Sequence, residues 1–291
     1  MFRILCFTFL AGALHAAERL PFSTVFKGKE RFAQLTSDAR AQVSRLRSLP
    51  VGERVAWFGQ KLVGTPYKSF TLEIDDHIEA PSVNLHGLDC WTFFETALAF
   101  ARMIMLPESR WSPEQMLAFV EQDRYWHGRC DGTYLSRLHY LEDWADDNDR
   151  RGLVDVLTRE LGGSGVRNAA TEMTNHASGY RYMAKSASNR AGIAKLEARL
   201  RAKPLMMIPK SRVPAIESRL KNGDIIGIIS RDRDGYGTSH VGIALVRGGV
   251  VRFMHASSPR NSGKVIIDSR LSEYLARFKS HAGILVARPV K

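Results

Sequence analysis

The apolar positions of this 291-residue chain change period partway along it, from helical spacing to short β-rich runs. Trp91, Phe94, Leu98, Ala101 and Met105 recur at three- and four-residue spacing, which predicts a helix that buries one stripe. Asp89 is a favourable N-cap, so this helix begins at Cys90. Leu49-Pro50 opens another over 51–62, which Gly64-Thr65-Pro66 closes, delivering Tyr67. Ser112-Pro113-Glu114-Gln115 combines an N-cap, a proline at the first helical position and a capping-box partner, predicting a helix that runs to residue 123. Residues 139–150, acidic and aromatic, read as a surface turn of helix, and 189–203 set Ile193, Leu196 and Leu200 against a basic, solvated face. Beyond Pro209 the strand-like runs are 224–229, 240–246, 250–256, 264–267 and 283–288, with a helix over 271–279. Helices first and strands last make the fold class α+β.

Two polar features stand where this pattern is most regular. Cys90 occupies a helix start, where unpaired amides and the positive end of the dipole stabilise a thiolate and lower its pKa. A free cysteine is equally well a small buried hydrophobe, and the residue alone leaves both readings open. His240 and His255 fall on two strands joined by Gly248-Gly249, the pair that a two-residue type I′ hairpin turn prefers. If Arg247 pairs with Val250, His255 lies opposite Gly242, and the two histidines become diagonal neighbours on one face with room between them. One histidine there is commonly a satisfied core residue. Two suit a base oriented by a second polar group, the arrangement a cysteine nucleophile requires.

In this order the residues resemble the NlpC/P60 superfamily of cell-wall cysteine amidases, in which a cysteine opens a helix and histidines follow on strands. A narrower resemblance, to the DUF1460 branch, rests on Leu62-Val63-Gly64-Thr65-Pro66-Tyr67, Val83-Asn84-Leu85, Gly87-Leu88-Asp89-Cys90-Trp91-Thr92-Phe93 and Ser136-Arg137-Leu138-His139-Tyr140. Asp143-Trp144, Gly223-Asp224-Ile225-Ile226, Ser239-His240-Val241-Gly242-Ile243 and His255-Ala256-Ser257-Ser258 continue it. It extends from residue 55 to Pro289. It implies a papain-like core, with the nucleophile helix packed on an antiparallel sheet or barrel, and N-acetylmuramoyl-L-alanine amidase activity on peptidoglycan fragments. Carried over, Cys90 is the nucleophile, His240 the base and His255 the orienting third member. Tyr67 is placed near the site, where its hydroxyl joins the Cys90 amide in holding an oxyanion; its plain alternative is a packed aromatic. Asn84 and Asp89, within the matching blocks, are assigned to substrate binding. One stretch departs: Arg233-Asp234-Gly235-Tyr236-Gly237-Thr238 stands where a Gly-Leu-Asp-like segment is expected, which predicts a different loop over the site.

The N-terminus places this chemistry. Arg3, the apolar run from Ile4 to Leu14 and the small residues Ala16 and Ala17 read as a cleaved secretory signal over 1–17, too short to span a bilayer as an anchor. The implied compartment is the periplasm or the exterior. Removing that segment takes Arg3 from the 42 basic residues, leaving 41 against 30 acidic, or +11. Such a charge favours anionic partners: nucleic acid, wall or membrane polymers, or a substrate bearing carboxylates. No aromatic-basic interleaving or zinc-finger spacing occurs, which disfavours nucleic acid. Cys90 and Cys130 are the cysteines of the mature chain. A bridge between them would consume the nucleophile, so the enzyme reading requires Cys90 free and treats Cys130 as a bystander.

The separation of 150 positions from Cys90 to His240 exceeds what a minimal α+β core needs, which predicts a helical insertion over 107–210 beside the cleft, suited to substrate selection. Arg137, His139, Tyr140 and Trp144, with Asp143, are its candidates, because arginine clamps a carboxylate and an aromatic face suits a sugar or acyl stem. Each is equally a candidate for a satisfied helix-surface network. Neither His-Glu-x-x-His nor Cys-x-x-Cys is present, so no metal or cofactor is expected. Two other functions stay open: a stem-peptide endopeptidase of the same chemistry, and a non-catalytic wall-binding module with Cys90 buried or bridged to Cys130.

Overall fold

The computed structural model describes residues 20–290; the segment 1–17, read from the sequence as a secretory signal, lies outside them. After a short helical turn, Phe22–Val25, come α1 (Lys29–Arg40), α2 (Val43–Ser48) and α3 (Val51–Lys61), followed by α4 (Cys90–Met103), α5 (Pro113–Arg124) and α6 (Leu141–Arg150). The strands β1 (Val154–Val156) and β2 (Ser164–Arg167) precede the long helix α7 (Ala187–Arg201) and β3 (Pro204–Pro209). A meander then runs through β4 (Ile225–Asp232), β5 (Gly235–Arg247), β6 (Val250–Ala256) and β7 (Val265–Arg270), with α8 (Leu271–Ala276) leading into β8 (His281–Pro289).

These strands form one eight-stranded sheet of order β2-β3-β8-β4-β5-β6-β7, with β1 also on β8, and all its pairings are antiparallel. Alternation along the strands buries both faces. Ile225, Ile229, Val241, Ile243 and Met254 join the core under α4, while Ile226, Ile228, Ala244 and Phe253 pack with Leu271, Tyr274 and Leu275 on the opposite face. The hairpin between β5 and β6 has the expected register, Arg247 opposite Val250, and Gly248 and Gly249 both take positive φ, 56° and 76°, as a type I′ turn demands.

Three features differ from the sequence expectation. Helix α4 is buried on every side from Thr92 to Met103, while Met105 lies beyond its end and is exposed; a helix between a sheet and α3 and α5 has no solvent face to pattern. Residues 139–150 are not superficial, since Leu141, Asp143, Trp144, Ala145, Asp147 and Asn148 are all buried. The segment 107–210 is neither purely helical nor separate: β1, β2 and β3 pair into the sheet, and Trp111, Met116, Leu138, Trp144 and Met207 belong to the main core. Only a smaller cluster, including Tyr134, Tyr140, Met173, Tyr182 and Ile193, forms an apolar centre of its own.

Candidate active site

Helix α4 starts at Cys90 because Asp89 closes a reciprocal cap. Asp89 Oδ1 accepts from Thr92 N–H at 2.8 Å, and the Asp89 N–H donates to Thr92 Oγ1 at 3.1 Å. Thr71 Oγ1 donates to the other carboxylate oxygen at 2.8 Å. This leaves Asp89 on the cavity wall with both oxygens engaged. Burial, and next the Asp89 charge, push the Cys90 thiol up to about 12, outweighing the opposing influence of the backbone at Val241, Trp91 and Cys90 itself. The lowered pKa expected of a helix start is therefore reversed. A helix dipole acts within its first turn, and here removal from water and a full negative charge at the cap oppose it. The resting group is a thiol.

The histidines meet as the register requires. His240 Nε2 lies 2.7 Å from His255 Nδ1, with the rings 4.8 Å apart and nearly perpendicular. Gly242 makes the room, since a Cβ there would stand 2.6 Å from the Phe253 ring, which itself stacks on His255. A β-bulge falls immediately before His240: Ile228 pairs with His240 but Ile229 with Thr238, leaving Ser239 extra, a device that re-aims the adjoining side chain. Burial, then the neighbouring His255 and His281, hold His240 well below the ordinary histidine range.

A fourth group, absent from the sequence expectation, completes the chain. Asp268 Oδ2 is 3.4 Å from His255 Nε2, and Arg277 pairs with its other oxygen at 2.7 Å. The hydrogen bond from His255, aided by Arg277, holds the Asp268 carboxyl well below the usual carboxylate range. An ionised carboxylate only accepts. His255 Nε2–H therefore donates to Asp268, His255 Nδ1 accepts from His240 Nε2–H, and His240 Nδ1 is left with its lone pair. Asp268 escaped the sequence because its placement depends on a register shift in β7 between Arg252–Arg270 and Met254–Ile267, which strict alternation cannot reveal.

Cys90, His240, Val241 and Tyr67 share a cavity of about 370 Å³ with Arg137, His139 and Tyr140. Burial, then Cys90 and Asp89, push the Tyr67 hydroxyl up to about 12, so it is a donor at neutral pH. Arg137 is 3% exposed, and its charge is already answered by Glu73 at 2.7 Å and Glu79 at 3.5 Å. It also donates to the Leu72 carbonyl and lies over the Tyr134 ring. His139 contacts the Tyr134 carbonyl at 2.9 Å; burial, then Arg137, hold it well below the ordinary range. The Tyr140 hydroxyl donates to Glu197 at 2.7 Å. Two candidates are elsewhere. Trp144 is fully buried edge-on to Phe94, and Asn84 sits in a short parallel pairing with Phe26–Lys27, its Oδ1 accepting from the His86 N–H. Cys90 and Cys130 are both unbridged.

Fold and cavity together are those of an amidase-type hydrolase. Residues 57–284 match the model of the AmiA-like, N-acetylmuramoyl-L-alanine amidase-like family, and the chain belongs to that family. The structure is similar to that of an N-acetylmuramoyl-L-alanine amidase from Bacteroides uniformis ATCC 8492, 30% identical, over 83% of this chain and 99% of that one, with a TM-score of 0.73. A Bacteroides fragilis protein with a provisional xylanase assignment is 34% identical over 79% and 98% of the two chains, TM-score 0.68. A DUF1460 protein of Legionella pneumophila shares the fold at 22% identity, over 90% and 97%, TM-score 0.63. A comparison with curated proteins returned no match.

Proposed function

We propose that this protein is a cysteine-dependent N-acetylmuramoyl-L-alanine amidase with a papain-like NlpC/P60 core, exported to the periplasm, where it acts on peptidoglycan or its muropeptide fragments. The observation that carries the reading is the ordered set Asp268–His255–His240 converging on the cavity that holds Cys90. Its hydrogen bonds leave His240 Nδ1 as the free base for the thiol proton.

In the reaction, substrate displaces water and Cys90 passes its proton to His240 Nδ1 as the sulfur attacks the lactyl carbonyl carbon. The oxyanion that forms is met by the Cys90 amide and the Tyr67 hydroxyl. The carbon–nitrogen bond then breaks, and His240 returns the proton to the departing alanine nitrogen. Water attacks the remaining thioester and gives one proton to His240, which restores the thiol and frees the lactyl carboxylic acid. Asp89 caps the helix that aims the sulfur. Arg137, through Glu73 and Glu79, holds the facing wall.

The test is mass spectrometry of defined muropeptides, reducing and anhydro, after incubation with the mature protein or its Cys90→Ala variant. Intact stem peptide and free amino sugar released by the unsubstituted protein alone establish the amidase. Cuts inside the stem would make it an endopeptidase, and the absence of any Cys90-dependent product would make it a wall-binding module.

A further inference from the structure

We propose, resting on the amidase reading, that a second cavity beside the catalytic one is the subsite for the peptide half of the substrate, and that Arg231 anchors a peptide carboxylate there. This cavity, of about 460 Å³, lies between the 168–172 loop and the β4–β5 hairpin. Tyr140, Glu172, Tyr180, Thr238 and Ser239 line both cavities, so the two are contiguous.

The direction of the chemistry says which half goes where. His240 delivers its proton to the departing alanine nitrogen, so the peptide leaves on the His240 side. Thr238 and Ser239, immediately before His240 on β5, form the shared wall. The peptide is thereby led into the second cavity, while the sugar is left in the first, which Tyr67 lines.

Arg231 is the basic residue of this lining. It is exposed, its guanidinium lies 5.8 Å from the centre of the Tyr236 ring, and among the described residues no carboxylate forms an ion pair with it. A free guanidinium at the rim of a cavity is suited to two-pronged binding of a carboxylate. A stem linked through the side-chain carboxyl of glutamate offers one, the unlinked α-carboxylate. Asp232 and Glu172 supply acceptors for peptide N–H groups on the same lining. Glu142, half-buried, is already engaged by Asn168 and Thr238. The subsite is also where this sequence departs from the DUF1460 pattern, since Gly237 and Thr238 belong to that stretch and a Cβ at Gly237 would meet nothing within 4 Å.

Calorimetric binding tests this directly. The Cys90→Ala protein and its Cys90→Ala, Arg231→Gln counterpart are titrated with N-acetylmuramoyl-L-alanyl-D-glutamate and with the D-isoglutamine analogue, whose α-carboxylate is an amide. The proposal expects Arg231→Gln to weaken the glutamate ligand on the order of tenfold and to leave the isoglutamine ligand within twofold. Equal weakening of both ligands, or of neither, overturns it. Because binding is read without turnover, absence of Cys90-dependent cleavage would overturn the amidase reading alone, whereas a charge-blind Arg231 would overturn the subsite alone.

Discussion

His240 Nε2 and His255 Nδ1 stand 2.7 Å apart, and because Asp268 can only accept from the far side of His255, this contact has a direction: His240 donates. Asp268→Asn reverses it. Arg277 demands an oxygen at the position it pairs with, so the asparagine turns its amide nitrogen toward His255, whose proton must then move to Nδ1. His240 is thereby forced to carry its own proton on Nδ1 and ceases to be a base. Steady-state kinetics should show kcat falling on the order of a hundredfold, with KM changed little. A loss below threefold would mean that Asp268 does not orient the pair. In the unsubstituted protein, His240 is held below the ordinary histidine range, so the acid limb of the kcat/KM profile, which reports the free enzyme, should lie below about pH 6.5.

The elements that carried the sequence reading are local ones. The Asp89–Cys90 helix start needs only a cap and a periodic run, and the β5–β6 pairing needs only two glycines and a count of residues. What escaped depends on tertiary context. Asp268 reaches His255 through an irregular register, and the strands β1, β2 and β3 within 107–210 lack a sequence pattern strong enough to announce pairing with the distant β8 or β3. Arg137 has the chemistry of a carboxylate clamp, but its partners Glu73 and Glu79 lie some sixty residues upstream.

The raised thiol pKa makes a prediction opposite to that of a resting thiolate. Below a pKa of about 12 the thiolate fraction rises tenfold per pH unit, so iodoacetamide should modify Cys90 slowly at pH 7 and about tenfold faster at pH 8. Asp89→Asn separates the two causes, because asparagine caps a helix as well as aspartate but removes the charge that raises the thiol. Alkylation should quicken at each pH while the melting temperature holds. A fast, pH-independent reaction in the unsubstituted protein would show a thiolate already present.

Arg137→Met distinguishes a wall support from a substrate clamp. The substitution leaves Glu73 and Glu79 buried without their cation, a loss of about 3–5 kcal/mol for a broken buried pair. Urea denaturation should show that loss without substrate present. Unchanged stability with a raised KM would instead assign Arg137 to substrate.

Tyr67→Phe examines the oxyanion directly. Burial, Cys90 and Asp89 all raise this hydroxyl, which keeps its proton in place to donate when negative charge appears on the lactyl oxygen. Because that charge exists only in the transition state and intermediate, removing the donor should leave KM near its original value. It should lower kcat by about two to three orders of magnitude. Tyr67 also packs against the main core, and phenylalanine preserves that packing, so the folded protein should melt at the same temperature. A kcat loss under tenfold would reduce Tyr67 to a packed wall and leave the oxyanion to the backbone amide at the start of α4.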